Sequence, residues 1–505
     1  MSLYPARSDV FAAIVDATKG AVAGTSTTMG ATVFRSTKGW PNIVHRITGD
    51  RLQTVFGSPI RGSRPYYDLW AFLQKAEAAH VVRVVASDAK YPSITVSSGG
   101  AVTSSHSFTS QVTPASKELS LWVKDGSDGA YYSIEITDID TTAKTFSLNV
   151  YSNESGTALQ VESHYVSLDQ DMRTADGESL YIESVLLSSN LIDALPASDC
   201  TINDIVAVSA TAFAGGTIGS TPTTSDYTAA WEKINASGIE ANLLFDSTDD
   251  TAVIAAANQV AINKLGHLFV DIPPTIGVGS LTPVADAVTW AKTTLGISSA
   301  NLSVYFNAFK CYDPFFESTM TMGVAGIAAG AAALGDFTRG IHVTPAGLTR
   351  GKVDQFTQIS LLHDLTDADL NALASDWINP VKPAAGTGVV IWDAFTRNAQ
   401  RGSKLNKINV IRTANYINRV LSESFQTELH EPTTSSVKER IERKVKSLLD
   451  PLVTVGALVN TKDGGAPYDL EIFEHQTESD VWVVRPLVCI VGSLRRIALE
   501  IVLVR

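Results

Sequence analysis

Cysteine is scarce in this chain. There are three in 505 residues, Cys200, Cys311 and Cys489, far apart and without a C-x-x-C pair. That excludes a disulfide framework and a thiolate zinc site, and it fits a reducing compartment. Long hydrophobic runs are missing too. The longest, from Met322 to Gly335, is about fourteen residues, short of the roughly 20 that a membrane-spanning helix needs. Its Gly326-xxx-Gly330 spacing reads as close helix packing inside a core, so no membrane insertion is expected. The apolar start is broken by Asp9 and Asp16, which argues against a secretory signal. Positive charge is in deficit: 39 Lys and Arg face 52 Asp and Glu, a net charge of −13. Direct nucleic-acid binding is therefore not the expected role. With 45% hydrophobic and 18% charged residues the chain is globular, and no tract has the composition of disorder.

Catalytic motifs are equally absent. There is no G-x-S-x-G nucleophile turn. Gly347-Leu-Thr-Arg-Gly351-Lys352 has three residues between its glycines where a phosphate loop needs four, and Val353 follows the lysine. His430-Glu431 cannot open a zinc helix, because Pro432 follows and Thr434 stands where the second histidine belongs. The nine histidines are scattered singly. The acidic clusters at 246–250 and 363–370 fall where helices should start, where carboxylates favour the helix dipole. No catalytic residue, cofactor site or metal site is predicted. An α/β hydrolase using Asp246 or Asp271, both at the carboxyl ends of expected strands, is the alternative in which the chain would be an enzyme.

What is present is strong patterning. Leu69, Phe72, Leu73 and Ala76 mark one face of a helix, and His80 to Val85 reads as a buried strand. Between about 91 and 165 the period changes to two, with Asp-Gly turns, which predicts an inserted β-sandwich. The Gly/Thr/Ser-rich stretch 212–226 reads as loop. From Gly238 strands 242–246, 267–272 and 301–307 alternate with helices, a β-α-β-α-β series that implies a parallel sheet. After about Asn379, Ser436-Val-Lys-Glu439 reads as a capping box opening a helix whose stripe is Val437, Ile441, Val445, Leu448 and Leu449. Strands are expected at 452–460, 469–476 and 481–492. The fold class is thus α/β multidomain, with a parallel-sheet core, an inserted β-sandwich and a C-terminal α+β domain.

Two features point to assembly. From Ala394 to Val420 six cations, Arg397, Arg401, Lys404, Lys407, Arg412 and Arg419, stand without one Asp or Glu. Such a run is either a solvated face or a docking surface for an acidic partner. The last residues, Ser493 to Arg505, place Ile497, Leu499, Ile501 and Leu503 on one face of a strand and Val502 and Val504 on the other. A strand covered on both faces belongs inside its own sheet or inside another chain's.

Several stretches together resemble contractile tail sheath proteins of myovirus-type bacteriophages and related injection machines. These are STTMGATVFRSTKGWPNIVHRITGDRLQTVFGSP (26–59), YFNAFKCYDPF (305–315), GVAGIAAGAAALGDFTRGIHVTPAGLTRG (323–351), DLNALASDWINPVKPAAGTGVVIWDAFTRN (369–398) and INVIRTANYINRVLSESF (408–425). They arrive in the family's order across nearly the whole chain. Two motifs depart: the family's P-G-V-Y-V-E-E start is SDVFAAIVDAT here, and L-x-G-G-x-D-G is reduced to Phe213-Ala-Gly215-Gly216. The resemblance implies a subtilisin-like core without a catalytic triad. It divides the chain into an N-terminal arm (1–25), the core (26–90 and 191–378), the inserted sandwich (91–190), a C-terminal sheath domain (379–496) and a C-terminal arm (497–505). It further implies a virion structural protein, assembled in the host cytoplasm as a helical homo-oligomer around a tail tube, with baseplate and tail terminator partners, that contracts for genome ejection and host cell entry. Ile497, Leu499, Ile501 and Leu503 would then be an inter-subunit strand, and Arg397, Arg401, Lys404 and Lys407 would face the tube. A capsid or surface-layer protein would share the acidic, cysteine-poor composition but not the ordered motifs.

Overall fold

A computed structural model describes residues 28–107, 112–124, 131–153, 156–400, 402–431, 434–477 and 481–493. Its centre is an eight-stranded sheet. In chain order the strands are β1 (Gly30–Phe34), β2 (Val44–Thr48), β3 (Ala78–Arg83), β4 (Leu243–Asp246), β5 (His267–Asp271), β6 (Leu302–Phe306), β7 (Ile378–Ala384) and β8 (Gly388–Ile391). In space they run β8-β7-β6-β5-β4-β1-β3-β2. The six inner strands are parallel, and β2 and β8 close the edges antiparallel.

Alternation along each strand feeds two cores. Leu243 and Phe245 of β4 turn to one side, with Phe269, α1 (Arg64–Leu73) and α5 (Ala325–Thr338). Leu244, Leu268 and Val270 turn to the other, with Trp231 of α2 (Thr224–Ala236), Ile254 of α3 (Thr251–Asn263), Val284 of α4 (Pro283–Thr289) and Leu373 of α6 (Asp367–Ser375). From Ala325 the run 322–335 forms a core helix. A Cβ on Gly326 would overlap the Asp68 carbonyl oxygen of α1, and one on Gly330 would lie 3.3 Å from Lys75 Cβ. Only glycine lets α5 and α1 approach so closely.

Two four-stranded antiparallel sheets, with an apolar cluster of their own, form the insert. The first orders Ile192–Pro196, Leu119–Val123, Lys90–Ser97 and Gly100–Ser107; the second orders Val208–Ala212, Tyr132–Asp140, Thr145–Ser152 and Leu159–Ser167. The boundary expected at 190 is therefore too early, because 192–196 and 208–212 pair with insert strands. The stem closes where Lys90 and Thr217 exchange backbone hydrogen bonds of 3.0 and 2.9 Å, and Asp88 Oδ1 accepts from Ser220 N at 3.0 Å. Residues 88–219 hold 17 Asp and Glu against five Lys and Arg, so the insert carries −12 of the chain's −13.

The boundary at 379 is also displaced: β7 and β8 belong to the main sheet, where β7 pairs with β6. The C-terminal unit starts instead with α7 (Ile408–Phe425), followed by α8 (Ser435–Thr454). Thr434, not Ser436, is the N-cap of α8, because the backbone is already extended there (φ −113°, ψ 160°). The strand expected at 452–460 does not form. Leu449 and Leu452 prolong the helical stripe against Ile417 and Leu421 of α7, and Gly456, at φ 74°, turns the chain out of the helix. Only Leu458 bridges, to Ile490. A two-stranded antiparallel hairpin, Tyr468–Glu474 with Trp482–Val488, completes the unit.

Candidate functional site

The carboxyl ends of β4 and β5 are where an α/β enzyme would keep its chemistry. Asp246 and Asp271 stand there, only 1% and 3% exposed. Asp246 Oδ1 accepts from Thr248 N at 3.0 Å and Thr248 Oγ1 at 2.7 Å, and its Oδ2 accepts from Trp231 Nε1 at 3.4 Å. Asp271 accepts from Val324 N at 2.8 Å and Ala325 N at 3.1 Å, at the start of α5. Burial raises the Asp246 carboxyl above its ordinary range. Burial, then the charge of Asp68, pushes Asp271 up to about 7. Both carboxylates hold loop and helix backbone, as turn and helix caps do.

The Thr248 hydroxyl beside Asp246 donates to that carboxylate within its own turn. Ser303 Oγ lies 2.7 Å from His267 Nε2, but both residues are fully buried and the hydroxyl donates to Phe395 O at 2.8 Å. Burial, then the Arg412 charge, drives the His267 pKa well below its usual value. Among the described residues no group of three or more His, Cys, Asp and Glu could hold a metal ion, and no helix is long and apolar enough to cross a membrane.

The basic run divides between interior and surface. Arg397, 8% exposed, donates to Ala291 O at 3.0 Å and to Asp376 O, so it fastens the β7 side of the sheet rather than facing outward. Arg412, 3% exposed, forms a buried ion pair with Asp336 at the end of α5, where Thr28 Oγ1 also donates to Asp336 at 2.7 Å. Arg419 reaches Asn242 Oδ1, and Asn415 Nδ2 donates to Gly266 O at 3.0 Å. These residues seam α7 to the parallel sheet. Lys407 stacks its ammonium over the Phe395 ring, 4.3 Å from the centroid, and Lys404 is half-buried in a short 3-10 turn. Arg401 lies outside the described residues. The sequence pattern missed the division because the acceptors, Asp336 and the Ala291 carbonyl, are 76 and 106 residues away.

The hairpin of the C-terminal unit is the least covered strand pair. None of its fourteen ladder residues is buried, and among the described residues no third strand joins it. Ile497, Leu499, Ile501 and Leu503 lie outside the described residues.

Residues 400–503 match the family described as phage tail sheath C-terminal domain. No curated protein sequence matches the chain. In fold it is similar to the sheath tail protein of Listeria innocua, with TM-score 0.59 and 13% identity over 92% of this chain and 96% of that one. The sheath tail protein of Desulfitobacterium hafniense gives TM-score 0.54 and 13% identity over 94% and 100% of the two chains. The anti-feeding prophage helical sheath in its contracted state gives 0.55 and 13% over 99% and 98%. At such identity the likeness is one of fold. It reaches the same family as the ordered sequence motifs, and the proteins matched are structural sheath components, not enzymes.

Proposed function

We propose that this chain is the subunit of a contractile tail sheath, polymerising helically around an inner tube and contracting to drive that tube through a cell envelope. The observation that carries this reading is the hairpin Tyr468–Glu474/Trp482–Val488, a two-stranded sheet inside the region that matches the sheath family. An isolated hairpin is marginal in water, and its outer strands offer unpaired N–H and C=O groups to any strand that arrives. The segment Ile497, Leu499, Ile501 and Leu503 has the two-sided apolar pattern such a guest needs, and strand addition from a neighbouring copy would weave subunits together while their cores move. Each added backbone hydrogen bond contributes about 1 kcal/mol net. The core, on this reading, is a subtilisin-like framework relieved of catalysis. The motor needs no nucleotide, because two packings of the same interfaces store and release the energy.

Tube, baseplate and tail terminator proteins would be the partners, in a tail assembled in the host cytoplasm. With Arg397 and Arg412 engaged internally, contact with an acidic tube falls to the cations nearer the surface, Lys404 foremost. Deleting residues 497–505 tests the reading. The truncated subunit should stay folded by circular dichroism and fail to form hollow tubes by electron microscopy; normal tubes from it would refute strand exchange.

A further inference from the structure

Two buried carboxylates, not one, meet the first turn of α5. Asp271 comes from β5 and takes the amides of Val324 and Ala325; Asp68 comes from α1 and takes the amide of Gly326 at 3.2 Å. A Cβ on Gly323 would overlap the Asp271 carboxylate, and one on Gly326 would overlap the Asp68 backbone, so both glycines are required for this approach. Asp68 is 1% exposed, and its Oδ2 has no hydrogen-bond partner. An ionised carboxylate left in that condition is strongly disfavoured, and a single proton between the two side chains would largely relieve this.

We propose that Asp68 and Asp271 form a proton-binding site that holds one proton between two carboxylates and clamps the amino end of α5 to α1 and β5. The other ionisable groups around it do not remove the need for that proton. Arg64 of α1 is drawn off into an ion pair with Asp249. Asp246, at the end of β4, adds a like charge felt by Asp68. Tyr305 of β6 is fully buried with an unpartnered hydroxyl, and Arg412 of α7 is committed to Asp336. Burial, opposed by Ser247 and the Arg64 charge, lifts Asp68 to about 6, and Asp271 stands at about 7. Carboxyls whose folded values are raised bind more protons folded than unfolded. Their contribution is therefore full below the ordinary carboxylate range and is lost as pH climbs through about 6 to 7.

The site also has a distant end. α5 runs from these carboxylates to Asp336, which holds Arg412 of α7, so a loosened clamp acts on the helix that joins the sheet to the C-terminal unit.

Asp68→Asn replaces a carboxyl by a neutral group of the same shape, keeps an oxygen for the Gly326 amide and can turn its NH2 toward Asp271, whereas Asp271→Asn also takes an acceptor from Val324 or Ala325. For the wild-type chain, the unfolding midpoint should fall by several degrees between about pH 5 and about pH 8. In Asp68→Asn that fall should shrink to less than about half, and the variant should be more stable than the wild type at about pH 8. The infrared band of a protonated carboxyl should be present in the wild type at about pH 6 and weaker in both variants. Equal pH slopes in wild type and Asp68→Asn would overturn the site. So would failure of Asp68→Asn to fold at about pH 5, where a neutral amide should substitute for a neutral acid.

Discussion

The strand β5 and the first strand of the C-terminal hairpin are made of comparable residues. HLFVD is buried at all five positions, while YDLEIFE is buried at none. Both carry aliphatic and aromatic side chains suited to a pleated surface. What differs is the company: β5 lies between β4 and β6 with helices on both faces, and the hairpin strand has one neighbour and partial cover from α8. Among the described residues the main sheet has both edges closed by antiparallel strands and the hairpin has no third strand. On the proposed function, a subunit built this way folds alone and holds that edge in reserve for pairing with another copy.

The sharpest way to break that contrast is to injure each side separately. Phe245 of β4 stacks on Phe72 of α1 with centroids 5.0 Å apart, both fully buried. Phe245→Ala should cost about 3–5 kcal/mol, read as a lower denaturant midpoint of the isolated subunit, before any question of assembly arises. A cost below about 1 kcal/mol would mean that the main sheet is not the self-sufficient body described here.

The insert offers a middle case, complete in its own sheets but peripheral to the main one. Excising residues 90–217 at the stem and bridging the gap with a short linker should change the subunit's stability by no more than about 1–2 kcal/mol and give thinner-walled tubes by electron microscopy. A cut at 165 would behave differently. It would strip the partners from Ile192–Pro196 and Val208–Ala212 and leave an open apolar face, so aggregation of that shorter deletion alone would sharpen the boundary. Loss of all polymerisation in the full excision would show that the insert takes part in the lattice.

The smallest effect is expected at the surface. Lys404→Glu should change the stability of the subunit by no more than about 1 kcal/mol, because a partly solvated charge contributes little. It should weaken co-sedimentation with purified tube, and added salt should weaken the wild type in the same direction, since exposed charges are screened over about 8–10 Å. Unaltered coating of tubes would remove Lys404 from the docking surface.

Local pattern carried much of this architecture. The alternating strands of the insert, the β-α-β series after Gly238 and the α8 stripe all announce themselves at periods of two or near 3.6. Pairings between distant segments do not, and these are what extend the insert to 192–196 and 208–212 and tie β7 to β6. Leu452 to Asn460 failed for another reason: a Val/Leu run satisfies both periods, and packing against α7 decided for the helix. Among the buried carboxylates, Asp246 and Asp271 were visible as strand ends. Asp68 is legible only as a charge set beside Leu69 and one turn from Phe72, past Arg64 on a largely apolar helix.

The acidity of the insert bears on the geometry of any polymer this chain forms. Copies that each concentrate twelve units of negative charge in one appendage behave as tethered polyelectrolyte beads. Crowding them together confines their counterions, at an entropic cost that falls as the beads separate. In a tube the spacing between equivalent points grows with radius, so on the proposed function mutual repulsion would favour these appendages outward and the less charged remainder of the chain toward the axis. The same charged rind keeps neighbouring filaments from bundling, and only until salt shrinks the ionic atmosphere below the gap between them.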